Sequence, residues 1–282
     1  MPAVAALSAR CLAAYGGLPV AADENFVARR YTGQGVRSRG AFDPSGLLVA
    51  SAAVRPDPDN RVAATATAQV DPEHTGQGLG GNLLDWCLGG PSWPPGVSQV
   101  AVETESLHPA TERLFASRSL VRVFAEDTMR ADLTGAPPEV PLPAGISLVD
   151  WSAATAGRFF AVYQAAFRDR PGFPGWPEHR WIEWIAGDAE FRPQWTMLAV
   201  DPTGDAGFVA CAEGWIVQVG VPPPWRGRQL GAALVVEALR RMRAAGRTEA
   251  WLDVHVDNPA RQLYVRLGFT VIGRRGKYKP SV

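Results

Sequence analysis

The sequence has few cysteines, almost no lysine and no long apolar run. Its three cysteines, Cys11, Cys87 and Cys211, are scattered through 282 residues without a C-x-x-C spacing. An odd, scattered set argues against both a disulfide framework and a zinc site. We therefore expect no metal centre and a reducing, cytoplasmic environment.

An excess of charge of one sign is also missing. The 28 basic residues, of which only Lys277 and Lys279 are lysines, are balanced by 28 acidic residues. A neutral chain gives no argument for nucleic acid or an acidic membrane surface as a partner. No apolar run reaches the roughly 18 residues that a membrane span needs. Residues 1–22 are apolar but lack a basic start and contain Arg10, so we expect an amphipathic helix there rather than a signal peptide.

Two similar segments lie 151 residues apart. Residues 70–80 read VDPEHTGQGLG and residues 221–231 read VPPPWRGRQLG. Each follows a candidate strand and precedes a candidate helix. A Gly-rich turn that opens a helix exposes unpaired backbone N–H groups at the positive end of the helix dipole, which favours an anion. The repetition predicts two copies of one phosphate-binding unit.

The length and the repeat predict two domains joined by a linker. Residues 134–145, TGAPPEVPLPAG, have the composition of a stiff, extended linker, which places the domains at residues 1–133 and 146–282. Each half is predicted to contain a strand–turn–helix–strand unit, and hence a parallel pair joined by a right-handed crossover. The expected fold class is α+β, with a mixed, mostly antiparallel sheet, a parallel central pair and flanking helices in each half.

Residues 171–195 are rich in tryptophan, with Trp176, Trp181, Trp184 and Trp195. Two interpretations remain open for this segment. It forms a short amphipathic helix that packs its aromatic side chains inward, or it forms a lid on the substrate side of a site.

The Gly-rich turns allow three interpretations. The first is an ordinary strand-to-helix turn, in which glycine only permits unusual dihedral angles. The second is a dinucleotide fingerprint, because Gly76, Gly78 and Gly81 fit G-x-G-x-x-G and Glu103 ends the next candidate strand. The second copy breaks this pattern, each half offers only one strand–helix–strand unit, and neither copy has the Gly-Lys-Ser/Thr of a P-loop. The third interpretation is a coenzyme A pyrophosphate site.

Two stretches resemble the GNAT acyltransferase superfamily. Residues 221–231 resemble its acetyl-CoA-binding signature, Q/R-x-x-G-x-G/A, with matches at Arg226 and Gly231 and a departure at Gln229. Residues 252–269, with the pattern L-x-V-x-x-x-N-x-A-x-x-L-Y-x-x-x-G-F, resemble the second half of the superfamily's core. The tandem arrangement is similar to the mycothiol synthase type of actinobacterial acetyltransferase.

The resemblance implies an acyl-CoA-dependent N-acyltransferase that moves an acetyl group from acetyl-CoA to the amine of a small molecule by direct attack. The second half is the expected catalytic domain, and the protein is expected to be a monomer or a homodimer. The residues implied in coenzyme binding are Val219, Val221, Arg226, Gly227, Arg228, Gln229, Gly231, Ala232, Asn258 and Tyr264, with Gly76, Gly78 and Gly80 in the first half.

Two side chains carry the predicted proton transfers. Tyr264 matches the superfamily's usual general acid, which protonates the departing thiolate. Glu213 is the first candidate for the general base, and Asp253, His255 and Asp257 are further candidates. No cysteine lies in a motif that suggests a nucleophile.

The first half lacks the corresponding side chains. Thr75 stands at the position of Arg226, Val62 at that of Glu213 and Phe115 at that of Tyr264. We therefore expect a degenerate first domain that still offers an acetyl-CoA site at residues 76–80. Two alternatives remain open, namely a non-catalytic acyl-CoA-binding or sensing protein, and an enzyme whose first half is the active one.

Overall fold

A computed structural model describes residues 1–170 and 173–281. Pro171 and Gly172, which begin the tryptophan-rich segment, and Val282, which ends the second predicted domain, lie outside the described residues. The chain divides into two compact units. Unit 1 comprises Met1–Thr128, His255–Asp257 and the segment from Val271 onward, and unit 2 comprises Met129–Val254 and Asn258–Thr270.

Helices and strands alternate along both halves in a similar order. The first half contains α1 (Pro2–Tyr15), α2 (Glu24–Tyr31), β1 (Arg37–Phe42), β2 (Leu48–Pro56), β3 (Ala63–Val70), α3 (Leu79–Leu88), β4 (Gln99–Thr104), α4 (Pro109–Ala116) and β5 (Leu120–Asp132). The second half contains β6 (Ser147–Asp150), α5 (Ala156–Phe167), α6 (Glu178–Ala186), β7 (Met197–Asp201), β8 (Gly204–Ala212), β9 (Trp215–Gly220), α7 (Leu230–Ala244), β10 (Glu249–His255), α8 (Ala260–Arg266) and β11 (Thr270–Pro280).

The strands of unit 1 follow the order β1-β2-β3-β4-β11-β5. β2 and β3 are antiparallel, and β3 and β4 are parallel and joined through α3. Strand β2 is buried along most of its length, and its small residues Ala50, Ala52 and Ala53 are almost fully buried. Such small side chains let elements pack closely on both faces of the strand.

The strands of unit 2 follow the order β10-β9-β8-β7-β6. β7, β8 and β9 are antiparallel neighbours, whereas β9 and β10 are parallel and joined through α7. On α7, Leu230, Leu234, Leu239 and Met242 recur near helical spacing, and all four side chains are buried.

The predicted fold class is confirmed as a mixed α/β fold with a parallel pair in each half. The compact units follow other boundaries than the predicted linear domains, because β11 is part of unit 1 although it ends the chain. Whether residues 1–133 and 146–282 fold as separate domains stays a prediction.

Two local features of the second half are the turn before helix α5 and the packing of the tryptophan-rich segment. Helix α5 begins at Ala156, after a turn in which the Ser152 N–H donates to Thr155 Oγ1 at 2.8 Å and the Thr155 N–H donates to Ser152 Oγ at 3.2 Å. In the tryptophan-rich segment, Trp181 on α6 is fully buried and Trp195 is nearly so, whereas Trp184 is 47% exposed. The inward-packing interpretation therefore describes Trp181 and Trp195.

Candidate coenzyme-binding turns and active site

The two Gly-rich turns have the same backbone conformation. A short 3-10 turn (Pro72–His74 or Pro223–Trp225) follows the strand in each copy. Next comes a glycine with φ of 76° in both, Gly76 and Gly227. The residue before the helix is left-handed in both copies, with φ of 82° at Gly78 and 61° at Gln229. The structure thus matches the two copies residue for residue at the offset of 151.

Gln229 has a backbone conformation that glycine adopts more readily. Its ψ is 9°, so the residue lies in the left-handed region, which costs a residue with a Cβ roughly 1–2 kcal/mol. Gln229 keeps the backbone N–H that an anion would use. The departure from the signature therefore weakens local stability more than it changes the donors of the turn.

Both turns present open space to a ligand. A Cβ atom added at Gly76, Gly78 or Gly227 would meet nothing within 4 Å. Neither α3 nor α7 has a side-chain cap on its first N–H groups. Exposed, uncapped N–H groups at a helix start suit a phosphate, so the geometry of both turns fits a coenzyme A pyrophosphate.

The second turn carries cations that the first lacks. Arg226 and Arg228 are exposed in the second turn, and Arg228 lies over the Trp225 ring at 4.8 Å. Arg226 also has structural contacts, because its Nε donates to the Val221 carbonyl and its Nη2 to the Ala166 carbonyl, both at 3.0 Å. Arg226 thus ties the turn to the end of α5.

In the first turn, the carbonyl of Val70 corresponds to that of Val221 and accepts a hydrogen bond from a different side chain. The Cys11 thiol donates to the Val70 carbonyl at a distance of 3.3 Å. Burial raises the pKa of Cys11 to about 11, so its thiol stays protonated at neutral pH. Cys11 is therefore a structural donor and a poor nucleophile.

The parallel strands beside the turns are aligned to different extents. Strands β3 and β4 are aligned over five pairs, from Ala63↔Gln99 to Thr67↔Glu103. Within the described residues, β9 and β10 are aligned at one pair, Trp215↔Trp251. β9 continues beyond that pair to Gly220, where an extended ligand could add hydrogen bonds along the strand edge.

The packing around Gly220 leaves no room for a side chain. A Cβ atom there would lie 2.3 Å from a carbon of the Phe208 ring and 3.1 Å from Phe167. Val219 and Val221 on either side are half-buried against the core of unit 2. Gly231 faces Val221, Ala232 is buried on α7, and Gly80 faces Leu114 in the first copy. These residues shape the floor of each turn.

Tyr264 lies on α8, after a turn that Asn258 closes. Asn258 Oδ1 accepts the Ala260 N–H at 3.0 Å, and the Tyr264 ring packs edge-on against Phe269 at 5.9 Å. Burial raises the pKa of Tyr264 to about 12, against a smaller lowering effect of Arg170. The phenol therefore keeps its proton at physiological pH and is suited to donate it.

Phe115 takes the place of Tyr264 in the first half. The offset of 149 in this region is supported by the backbone, because Ser119 has φ of 57° where Gly268 has φ of 89°. Phe115 is buried and packs against Tyr278 at 4.7 Å. The first half therefore has no phenol at this position.

The candidate bases lie in different places. Glu213 is in the turn between β8 and β9, at the opposite end of β9 from Gly220, where it lies 2.5 Å from Arg192 Nε and 3.2 Å from Arg247 Nη1. The structure does not bring Glu213 to the turn at residues 221–231. Asp253 and His255 alternate with buried Leu252 and Val254 on β10. Asp257 Oδ2 lies 3.8 Å from His255 Nδ1.

Unit 1 contains a cavity of about 350 Å³ beside its turn. Its walls come from the turn, from the ends of β3 and β4 and from helices α1 and α2, and include Gly76, Gly78, Val70, Val102, Cys11 and Arg30. The sequence alone gives no sign of this cavity, because the residues that α1 and α2 contribute to it belong to no motif.

Known proteins show close similarity to this chain. A model of the acetyltransferase (GNAT) family matches residues 149–269. A mycothiol acetyltransferase from Clavibacter michiganensis subsp. michiganensis (strain NCPPB 382) is 32% identical over 209 residues, which cover 71% of this chain and 67% of that protein. A mycothiol acetyltransferase from Rhodococcus opacus (strain B4) is 30% identical over an alignment of 292 residues with gaps, which covers 94% of this chain and 90% of that protein. The chain belongs to the GNAT acetyltransferase family.

Solved GNAT structures confirm the fold. A GCN5-related N-acetyltransferase from Sphaerobacter thermophilus superposes with a TM-score of 0.75 at 26% identity, covering 99% of this chain and 91% of that one. A tandem GNAT protein from the clavulanic acid biosynthesis pathway superposes with a TM-score of 0.60 at 18% identity, covering all of this chain and 95% of that one. The resemblance inferred from the two motifs is thereby confirmed as a family relationship.

Residues 1–170 and 173–281 hold no group of three or more His, Cys, Asp or Glu side chains that is arranged for a metal ion. Over the same residues, helices of the length and apolar character needed to cross a membrane are absent.

Proposed function

We propose that this GNAT acetyltransferase transfers an acetyl group from acetyl-CoA to the amine of a small molecule, with catalysis in the second half of the chain. The observation that carries the proposal is the Tyr264 phenol, which is partly buried against the core of unit 2 and whose raised pKa keeps it protonated. It lies within the segment that the family model matches. The corresponding Phe115 has no proton to donate.

In this proposal, different residues bind the pyrophosphate, polarise the thioester carbonyl and protonate the leaving thiolate. Backbone N–H groups of residues 227–231 hold the pyrophosphate at the start of α7, and Arg226 and Arg228 add positive charge. A backbone N–H near Val219 and Val221 polarises the thioester carbonyl. Acetyl-CoA supplies the activated acyl group, and Tyr264 holds the proton that the leaving thiolate takes up.

Transfer is direct in this proposal, without an acyl-cysteine. Burial raises the pKa of all three thiols, to about 11 for Cys11, to about 12 for Cys87, and upward for Cys211 as well. Thiolates are the nucleophilic form, so these cysteines are poorly suited to attack a thioester.

The relatives suggest which acceptor to test first. Two of them carry the name mycothiol acetyltransferase. We therefore propose a small amine of mycothiol chemistry as the first acceptor, with amino sugars and amino acids as the next ones.

The first half supports a second candidate role, the binding of an acyl-CoA without turnover. Its turn has the same left-handed residues as the second turn, and the cavity of unit 1 opens beside it. We propose that residues 76–80 bind a coenzyme A pyrophosphate. If the second half proves inactive, the protein is an acyl-CoA-binding or sensing protein.

The test is acetyl transfer by the full chain, followed as coenzyme A release, in wild type and Tyr264→Phe. General acids contribute about 10²–10⁴-fold, so we expect a loss of kcat of that size with acetyl-CoA binding intact. Tyr278→Phe is the control, because burial raises the pKa of that phenol to about 12 as well, but in unit 1. Unchanged turnover in Tyr264→Phe would contradict the assignment.

A further inference from the structure

The cavity of unit 1 lies where two parallel strands separate. Strands β3 and β4 are aligned up to the pair Thr67↔Glu103. Past this pair, residues 68–70 of β3 and residues 104–106 around the end of β4 line the cavity, as does the first turn. A coenzyme whose pyrophosphate lies at the turn would therefore carry its thioester end into the space between the two strands.

Helix α1 forms a fixed wall beside the strand ends. The Ser8 hydroxyl donates to Gln69 Oε1 at 3.0 Å, and the Cys11 thiol donates to the Val70 carbonyl at 3.3 Å. Ser8 and Cys11 are buried and line the cavity. Because these bonds hold the helix to β3, the space beyond the thioester is formed before a ligand enters, as is usual for small-molecule sites.

Apolar side chains make up much of the wall around this space. They come from α1, from α2 and the turn before it, from β4 and from α4, and include Leu12, Ala21, Val27, Val102, Leu114 and Phe115. A wall of this kind favours a ligand that brings apolar surface out of water, and it disfavours a charged group.

The polar side chains that α2 and the strand ends add to the wall are bonded to protein groups. Ser51 Oγ lies 3.0 Å from the Tyr31 hydroxyl and accepts from Gln69 Nε2 at 3.2 Å. Arg30 Nη2 pairs with Glu105 Oε1. Arg30 Nη1 and Glu105 Oε2 are buried, so these two atoms present no polar surface to the cavity. The wall therefore selects a ligand by size and apolar contact.

The size of the cavity exceeds what an acetyl group would use. Its volume of about 350 Å³ lies in the range of small-molecule sites, roughly 300–1,000 Å³. We propose that unit 1 binds an acyl-CoA whose unbranched, apolar acyl chain is longer than acetyl, with the chain between α1, α2 and the sheet. This inference rests on the proposed coenzyme site at residues 76–80, and it names the acyl class that this site takes.

The experiment compares acyl chains of different length by calorimetry. The full chain carries Gln229→Asp, which weakens the second turn, so that the first turn accounts for the binding. Acetyl-CoA, butyryl-CoA and hexanoyl-CoA share the coenzyme and differ only in methylene groups. Each buried methylene strengthens binding by about fourfold. We expect hexanoyl-CoA to bind about tenfold or more tightly than acetyl-CoA, with butyryl-CoA between them.

Variants of the wall show where the chain lies. Ala21 is buried and lines the cavity, so Ala21→Leu fills part of the space. It should abolish the preference for hexanoyl-CoA and leave the affinity for acetyl-CoA unchanged. Ala14→Leu, on an exposed position of α1, is the matched control and should keep the preference. If Ala21→Leu fails to fold, Ala21→Val, which fills less of the space, replaces it and should reduce the preference.

The outcomes separate this inference from the coenzyme site. Equal affinity for acetyl-CoA and hexanoyl-CoA in the Gln229→Asp protein overturns the inference and leaves the coenzyme site standing. No binding of any of the three thioesters overturns both. A preference that persists unchanged when Ala21 is enlarged places the chain outside the cavity and also overturns the inference. A preference that Gly78→Asp removes, and that Ala21→Leu removes but Ala14→Leu does not, supports it.

Discussion

The turns at residues 70–80 and 221–231 share a backbone path and differ in the side chains around it. Gly78 and Gln229 are both left-handed, yet only Gly78 is so without strain. The carbonyls of Val70 and Val221 are both satisfied, one by the Cys11 thiol and the other by the Arg226 guanidinium. Phe115 and Tyr264 lie at corresponding places on their helices. The comparison teaches that the backbone path of the turn and the phenol proposed as the catalytic acid are separable features of this fold.

Aspartate substitutions at the left-handed positions give the largest expected effect on binding. Asp tolerates this conformation and favours a helix start, so Gly78→Asp and Gln229→Asp should both fold. Each places a carboxylate where the pyrophosphate would bind, and repulsion of about 1.4–3 kcal/mol should weaken that site tenfold or more. Calorimetry with acetyl-CoA should show two sites in wild type and one in each variant.

A single acetyl-CoA site in wild type would contradict the expectation that both turns bind the coenzyme. The variant that abolishes the single site would then identify the half that binds the coenzyme. No binding by wild type would contradict the proposed role of both turns.

Exchanging the two left-handed residues tests the strain at Gln229. Gln229→Gly should raise the free energy of unfolding by about 0.5–1 kcal/mol, and Gly78→Gln should lower it by about 1 kcal/mol. Thermal or urea unfolding measures both, and Gln77→Gly, a neighbouring exposed turn residue, is the control. Shifts of the same sign in both exchanged variants would contradict the equivalence of the turns.

Glu213 has no charged counterpart in the first half, where Val62 stands at its position. Its ion pairs with Arg192 and Arg247 favour a role in holding the turn between β8 and β9. The pairs are partly exposed, so we expect Glu213→Gln to lower the free energy of unfolding by about 0.5–1 kcal/mol and to retain most of the turnover. Loss of turnover at unchanged stability would instead support Glu213 as the general base.

The raised pKa of Tyr264 gives an expected effect on stability that is confined to alkaline pH. A phenol in the unfolded chain loses its proton near pH 10, whereas Tyr264 in the folded protein keeps it to about pH 12. The folded state therefore binds more protons in this interval, and stability falls as pH rises through it. Tyr264→Phe should lose less stability than wild type between about pH 9 and 11.5, as measured by urea unfolding, and an equal loss would contradict this account.

Local patterns predicted the fold class and located the candidate turns. The spacing of leucines on α7, the glycines at φ of 76° and the motif around Tyr264 are short-range signals that a sequence shows directly. These signals do not predict which distant elements pack together. The sequence did not show that β11 lies beside β4 in unit 1, since a strand's partners depend on the whole fold.

The sequence also does not show which residues surround the candidate sites. Arg226 matched a motif, but its contacts with the Val221 and Ala166 carbonyls depend on where α5 ends. Glu213 precedes a strand in the sequence, whereas its two arginine partners come from other parts of the sequence. The cavity of unit 1 required the packing of α1 and α2 against the sheet.

The central claim is that the second half catalyses transfer while the first half only binds a ligand. The most direct measurement is acetyl-CoA-dependent turnover by the full chain in Gly78→Asp and Gln229→Asp, at saturating amine. The account predicts turnover close to wild type in Gly78→Asp and a loss of tenfold or more in Gln229→Asp at subsaturating acetyl-CoA. Loss of turnover in Gly78→Asp with retention in Gln229→Asp would contradict it and assign catalysis to the first half.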